Sequence, residues 1–130
     1  MSTETGRDEA DLASYIRGLR ERARAEEAAR VRRGVEARSR LPEILQVLCG
    51  EFGARHIVLF GSLATGGFHE TSDIDLLVDG VPADRWFEAD ARVATVAAPF
   101  EVDLVPRSSA WPSLIARADG EGEVLHDAGG

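Results

Sequence analysis

Apolar residues fall along the chain in two rhythms, one suited to strands and one to helices. His56–Phe60 (HIVLF), Asp73–Val78 (DIDLLV) and Glu101–Val105 (EVDLV) are short, β-branched-rich runs that predict three strands. Leu12, Tyr15, Ile16, Leu19 and Ala23 recur at helical spacing, with Val31 and Val35 continuing more weakly, in an Ala-, Arg- and Glu-rich stretch from about Asp8 to Arg38. Glu27 interrupts this stripe, and Gly18 and Gly34 weaken it. Arg17 with Glu21 and Arg22 with Glu26, four apart, suit a solvated helix. At ~1.5 Å per residue the rod is roughly 45 Å long, more than the roughly 25–30 Å width of a ninety-residue domain. It must project, kink or pack on another chain. Residues 1–7, small and polar, are expected to fray.

Leu41–Phe52 predicts a second helix, with Pro42 early, an apolar face of Leu41, Ile44, Leu45 and Leu48, and Gly53 as its stop. Pro82–Ala98 fits a helix bounded by Pro82 and Pro99, Trp111–Ala118 a last short one, and Glu123–His126 an added edge strand. The order α-α-β-β-α-β-α describes an α/β (α+β) fold with a small mixed sheet, helices on one face and a long N-terminal helix. Residues 1–40 read as a helical extension and residues 41–130 as the globular domain.

Composition excludes several classes. The chain is 44% hydrophobic and 29% charged, the balance of a folded globular protein. No apolar run approaches the ~20 residues that span a bilayer, and Met1–Ala10 is too acidic and polar for a signal peptide. The single cysteine, Cys49, permits neither an internal disulfide nor a thiolate zinc site. These features point to the cytoplasm. The net charge of −8 is uneven: residues 1–40 hold ten Arg against eight acids, residues 41–130 five Arg against fifteen, and there is no Lys. So acidic a domain argues against broad nucleic-acid binding. It can still hold a polyanion where divalent cations bridge the two.

Strand alternation then places the chemistry. Ile74, Leu76 and Val78 share one face and belong in the core, which turns Asp73 and Asp75 to the other, roughly 6–7 Å apart. In the third strand Val102 and Leu104 point inward and Asp103 outward. If the two strands are neighbours, three carboxylates converge, and their repulsion is costly without cations. Hard oxygen ligands with room for water and phosphate suit Mg²⁺ or Mn²⁺. Just upstream, Phe60-Gly61-Ser62-Leu63-Ala64-Thr65-Gly66 is a strand ending in a Gly-Ser turn. Such a turn aims backbone N–H groups and the Ser62 hydroxyl at an anion, with Gly61 allowing close approach.

Gly61-Ser62-Leu63-Ala64-Thr65-Gly66, five residues, then Ser72-Asp73-Ile74-Asp75-Leu76 resembles the signature of the DNA polymerase β-like nucleotidyltransferase superfamily. Within it the chain looks most like the minimal nucleotidyltransferases, many of which are antitoxins paired with HEPN ribonuclease toxins. The similarity is strong over Ile57–Val105 and weaker on either side. It implies a nucleotidyltransferase fold in which Asp73 and Asp75 ligate two Mg²⁺ ions (or Mn²⁺). Asp103 would ligate the catalytic metal and help deprotonate the acceptor hydroxyl. The nucleotide-binding set is Gly61 and Ser62, on the β and γ phosphates of ATP, with Ser72 beside them. Many relatives carry a basic residue at one or both positions occupied here by Leu63 and Thr65, so this chain lacks a charge that holds triphosphate.

Plainer readings stand beside these. The three aspartates could be solvated strand-edge acids, and Gly61-Ser62 an ordinary strand-to-helix turn. Ser72 has a favoured alternative role, capping the aspartate strand. Asp79, before Gly80, reads as a turn residue, Cys49 as core, and His69 as a surface loop residue rather than a nucleotide contact. His56 and His126 lack metal-ligand spacing, and Trp86, Phe87 and Trp111 read as core or interface. The Arg-rich helix is either a solvated face or a partner surface.

The functional expectation is transfer of AMP from ATP to a hydroxyl. With little chain after Asp103, no second domain is expected to bind the acceptor. The resemblance implies a tyrosine on a HEPN-type toxin. The alternatives are a non-catalytic module neutralising its partner by contact, an aminoglycoside-type transferase, or, less favoured, a template-independent RNA polymerase.

Overall fold

The computed structural model describes residues 2–129, and their side chains from Glu9 onward. Four strands form the sheet: β1 (His56–Phe60), β2 (Ile74–Asp79), β3 (Val102–Pro106) and β4 (Glu123–Asp127), in the order β3-β2-β1-β4. β1 runs antiparallel to both β2 and β4, while β2 and β3 are parallel. A parallel pair needs a crossover, and α4 (Trp86–Ala97), entered through a 3₁₀ turn at Ala83–Arg85, supplies it. That turn delays the helix expected from Pro82. The helix expected over 41–52 is α2 (Leu41–Leu45) continued as a π-helix over Gln46–Glu51.

The sheet is apolar on both faces. Ile57, Leu59, Ile74, Leu76 and Leu104 meet Ile44, Leu48 and Val93 from α2, its π-helical continuation and α4. On the other face Val58, Phe60 and Leu77 meet Ala118, with Leu114 and Ile115 beside it. These last three lie on α5 (Pro112–Glu121), longer than the expected Trp111–Ala118. Helices therefore cover one face fully, as expected, and α5 adds partial cover on the second. An ion pair between Arg107 and Asp119, 2.6 Å, ties α5 to the end of β3. The uncovered part of that second face is where β2 and β3 begin.

α1 (Ser2–Arg38) is one continuous helix of 37 residues. It takes in residues 2–7, where fraying was expected; Met1 lies outside the described residues. Leu12, Tyr15, Ile16 and Leu19 are exposed, and only near its end does α1 reach the core, through Ala37. Of the three possibilities for this rod, it projects. Phe87 and Trp111, expected in the core or at an interface, are 88% and 78% exposed, which removes the core reading. Trp86 and Cys49 pack against the core while half-buried, and burial pushes the Cys49 thiol up. No helix among the described residues is long and apolar enough to cross a membrane.

Candidate active site

β1 ends at Phe60, and the chain turns sharply at Gly61, with φ +72°, into α3 (Ser62–Thr65). That backbone conformation suits glycine because a Cβ would clash there. A second reason lies across the sheet: Phe60 pairs with Asp75, and the Asp75 carboxylate occupies the space where a Gly61 Cβ would stand. The phosphate-type turn and the acidic strand are thus in direct contact. The first turn of a helix leaves N–H groups without intrahelical acceptors, and α3 presents them beside this carboxylate. Thr65 folds back, its N–H and hydroxyl both donating to the Gly61 carbonyl at 3.2 Å. Leu63 is buried in the core, so neither position carries a charge to the turn.

β2 and β3 are paired in register, Asp75 directly beside Asp103, with Ile74 beside Val102. The strand adjacency on which convergence depended is present. Asp73 immediately precedes β2, and the Ile74 N–H donating to Glu101 O (2.9 Å) carries the pairing up to it. Asp73 and Asp75 are partly exposed and Asp103 is exposed, all on the uncovered half of the face. Burial first, then the negative charges of Asp103 and Asp73, pushes the Asp75 carboxyl up to about 6, while the Arg117 guanidinium pulls the other way. The three charges therefore act on one another. Among the described residues, however, no group of three acidic, His or Cys side chains stands in metal-ligating geometry. The donor set itself, hard carboxylate oxygens from three aspartates on one face, fits Mg²⁺ or Mn²⁺.

Ser72 has a visible task inside the loop: its hydroxyl accepts from the His69 N–H (3.1 Å), and its own N–H donates to the His69 carbonyl (3.0 Å). This is the capping role, which orders the approach to Asp73. His69 is exposed and bonded to Thr71.

Two groups escaped the sequence. The end of α1 clamps the site's loops, with Arg38 donating to the Leu63 carbonyl (3.3 Å) and pairing with Glu123 (3.0 Å). Arg33 donates to the Glu70 carbonyl (3.2 Å) and lies over the Phe100 ring. The second is Arg117, on α5. Nothing local marks these three Arg among the fifteen in the chain, because tertiary packing decides what surrounds each. Arg38→Ala is expected to cost about 1 kcal/mol, since its contacts are partly solvated. A melt should show it as a drop of a few degrees, accompanied by a few-fold weaker nucleotide binding in a titration.

The Gly-Ser turn is thus packed on the acidic strand, with a further aspartate on the neighbouring parallel strand. The chain belongs to the nucleotidyltransferase domain family, which matches residues 41–124. Among solved structures it is similar to a toxin–antitoxin with AMP-PNP, at 29% identity and TM-score 0.58, over 66% of this chain and 72% of that one. It is also similar to mutants of the toxin–antitoxin MntA–HpeT, at 27% identity (TM-score 0.58, 66% and 72% covered) and 28% identity (TM-score 0.56, 66% and 71% covered). Both findings agree with the minimal nucleotidyltransferase resemblance of the sequence. No curated protein matches the chain.

Proposed function

We propose that this chain transfers AMP from ATP to a hydroxyl on a protein partner, and that the partner is a toxin of HEPN type that the transfer inactivates. The observation that carries the reading is the side-by-side pairing of Asp75 and Asp103 with the Asp75 carboxylate seated on Gly61. That contact brings the Gly-Ser turn and the carboxylates together, which supports reading them as one site for triphosphate and metal. The likeness to toxin–antitoxin structures supports the choice of partner.

In the proposed reaction Gly61 and Ser62 hold the β and γ phosphates. Asp73 and Asp75 would hold the divalent cations, with Asp103 joining them on the catalytic one. When bound, Mg²⁺ or Mn²⁺ supplies the positive charge that lets carboxylates and triphosphate share the site and eases charge build-up on the attacking and leaving oxygens. Asp103, exposed at the open edge, accepts the proton as the acceptor oxygen bonds to the α phosphorus. The bond from that phosphorus to the bridging oxygen breaks in line, and pyrophosphate leaves. The uncovered half-face leaves room for a side chain delivered by another protein, and a tyrosine hydroxyl has the reach. Residues 41–130 carry the transfer and residues 1–40 form the helical extension. A cytoplasmic site accords with this reading.

A second reading, neutralisation by contact alone, draws on the uncharged Leu63 and Thr65 in the turn. Incubation with α-labelled ATP, Mg²⁺ and the toxin separates the two. Label on a toxin tyrosine, lost with Asp103→Ala, is the expected result. Neutralisation that persists in Asp103→Ala without any label transfer would establish the contact reading instead.

A further inference from the structure

Residues 41–130 hold five Arg, and four are accounted for. Arg85 pairs with Glu88, Arg92 with Glu51 and Arg107 with Asp119. Arg55 precedes β1, at the end where His56 pairs with Asp79, the far end of the sheet from the Phe60–Asp75 pair. Arg117 is exposed and, among the described residues, has no ion pair and no hydrogen bond.

Its place in the fold is specific. α5 lies on the carboxylate face of the sheet, anchored by fully buried Ala118 against Val58 and Leu77. Leu77 is two residues past Asp75 on the same strand, hence on the same face. α5 climbs toward the carboxylate end, since Gly122, just past its last residue, sits too close to the Leu59 carbonyl for any Cβ. Arg117, next to Ala118, flanks the contact surface about one turn before that end.

We propose that Arg117 binds the β and γ phosphates of the nucleotide, supplying from α5 the cation that Leu63 and Thr65 do not supply in the turn. The proposal rests on the transferase reading and adds a residue to it. A guanidinium suits the task, because its planar fork of N–H donors matches phosphate oxygens bidentately and stays charged at every working pH. A domain carrying fifteen acids repels a triphosphate, so one unengaged cation beside the carboxylates has a large share of the attraction to supply.

The test compares wild type, Arg117→Gln and Arg117→Lys by calorimetric titration with AMP-PNP and with AMP, each with Mg²⁺, in the full chain. Arg117→Gln is expected to weaken AMP-PNP binding by about tenfold or more, the scale of a charge-assisted phosphate contact. AMP binding should change by less than about twofold, and pyrophosphate should lose potency as an inhibitor in parallel with AMP-PNP. Arg117→Lys should recover part of the loss, and melting curves of the exposed-site variants should overlay wild type. Equal weakening for AMP and AMP-PNP, or none for either, would overturn the role of Arg117. If wild type binds AMP-PNP and Asp75→Asn abolishes transfer while Arg117→Gln behaves as wild type, only this proposal falls. If wild type itself binds no nucleotide, the transferase reading falls with it.

Discussion

Asp75→Asn is expected to lower nucleotidyl transfer by at least about 10³-fold, as loss of a charged group that stabilises the transition state does, while making the metal-free protein more stable. The two effects share one cause. Burial and the charges of Asp103 and Asp73 raise the Asp75 carboxyl from its ordinary 3.8 to about 6. Its ionised form is therefore disfavoured in the folded protein. Between these two values the folded chain binds a proton that the unfolded chain has released, so stability falls as pH rises through the window and is flat above it. The gap corresponds to at most ~3 kcal/mol; Asp75 keeps solvent contact, which screens the penalty to about 1–2 kcal/mol. Asparagine keeps the volume and removes the charge. In thermal melts without metal at pH 7 the variant should gain about 3–8 °C over wild type, and the difference should vanish near pH 4. Added Mg²⁺ should stabilise wild type in proportion to its occupancy and leave the variant where it was. A variant that melts at or below wild type at pH 7 would show that the three carboxylates do not repel one another as their placement requires.

Gly61→Ala should damage both stability and transfer, because position 61 lies inside the site. Position 61 sits at φ +72°, where an L-residue is strained, and the added methyl would collide with Asp75 Oδ2. Backbone strain alone costs about 1–3 kcal/mol. The collision must also be relieved by moving the carboxylate, so transfer should drop by about 10²-fold, the cost of small misplacement in a positioned site. The two contributions can be separated. In the double variant Gly61→Ala with Asp75→Ala the colliding oxygen is gone, so Gly61→Ala should cost less stability in the Asp75→Ala background than in wild type, as expected for residues in contact. Strict additivity in chemical denaturation would mean the carboxylate does not rest on this glycine.

Much of this arrangement was legible before any coordinates. The alternation in Asp73–Val78 and Glu101–Val105 assigned the carboxylates to the face opposite Ile74, Leu76 and Leu104, because a strand's side chains have a period of two whatever surrounds them. The turn at Gly61-Ser62 was equally local: a positive φ needs glycine, and that need is written in the residue itself. His56–Phe60 even carried a sign of α5, since a run apolar on both faces needs cover on both. The reading of helices on one face passed over that sign.

What the chain alone left open were relations between distant segments. That β2 and β3 are neighbours, with Asp75 beside Asp103, depends on the crossover through α4. That Ser72 turns its hydroxyl into the loop, that Arg33 and Arg38 reach the loop and turn from α1, and that α5 carries Arg117 onto the carboxylate face depend on packing. Secondary structure and backbone preference are short-range and show in a window of ten residues. Which charges meet is decided by how the layers close over the core, and fifteen chemically identical guanidinium groups acquire different roles only then.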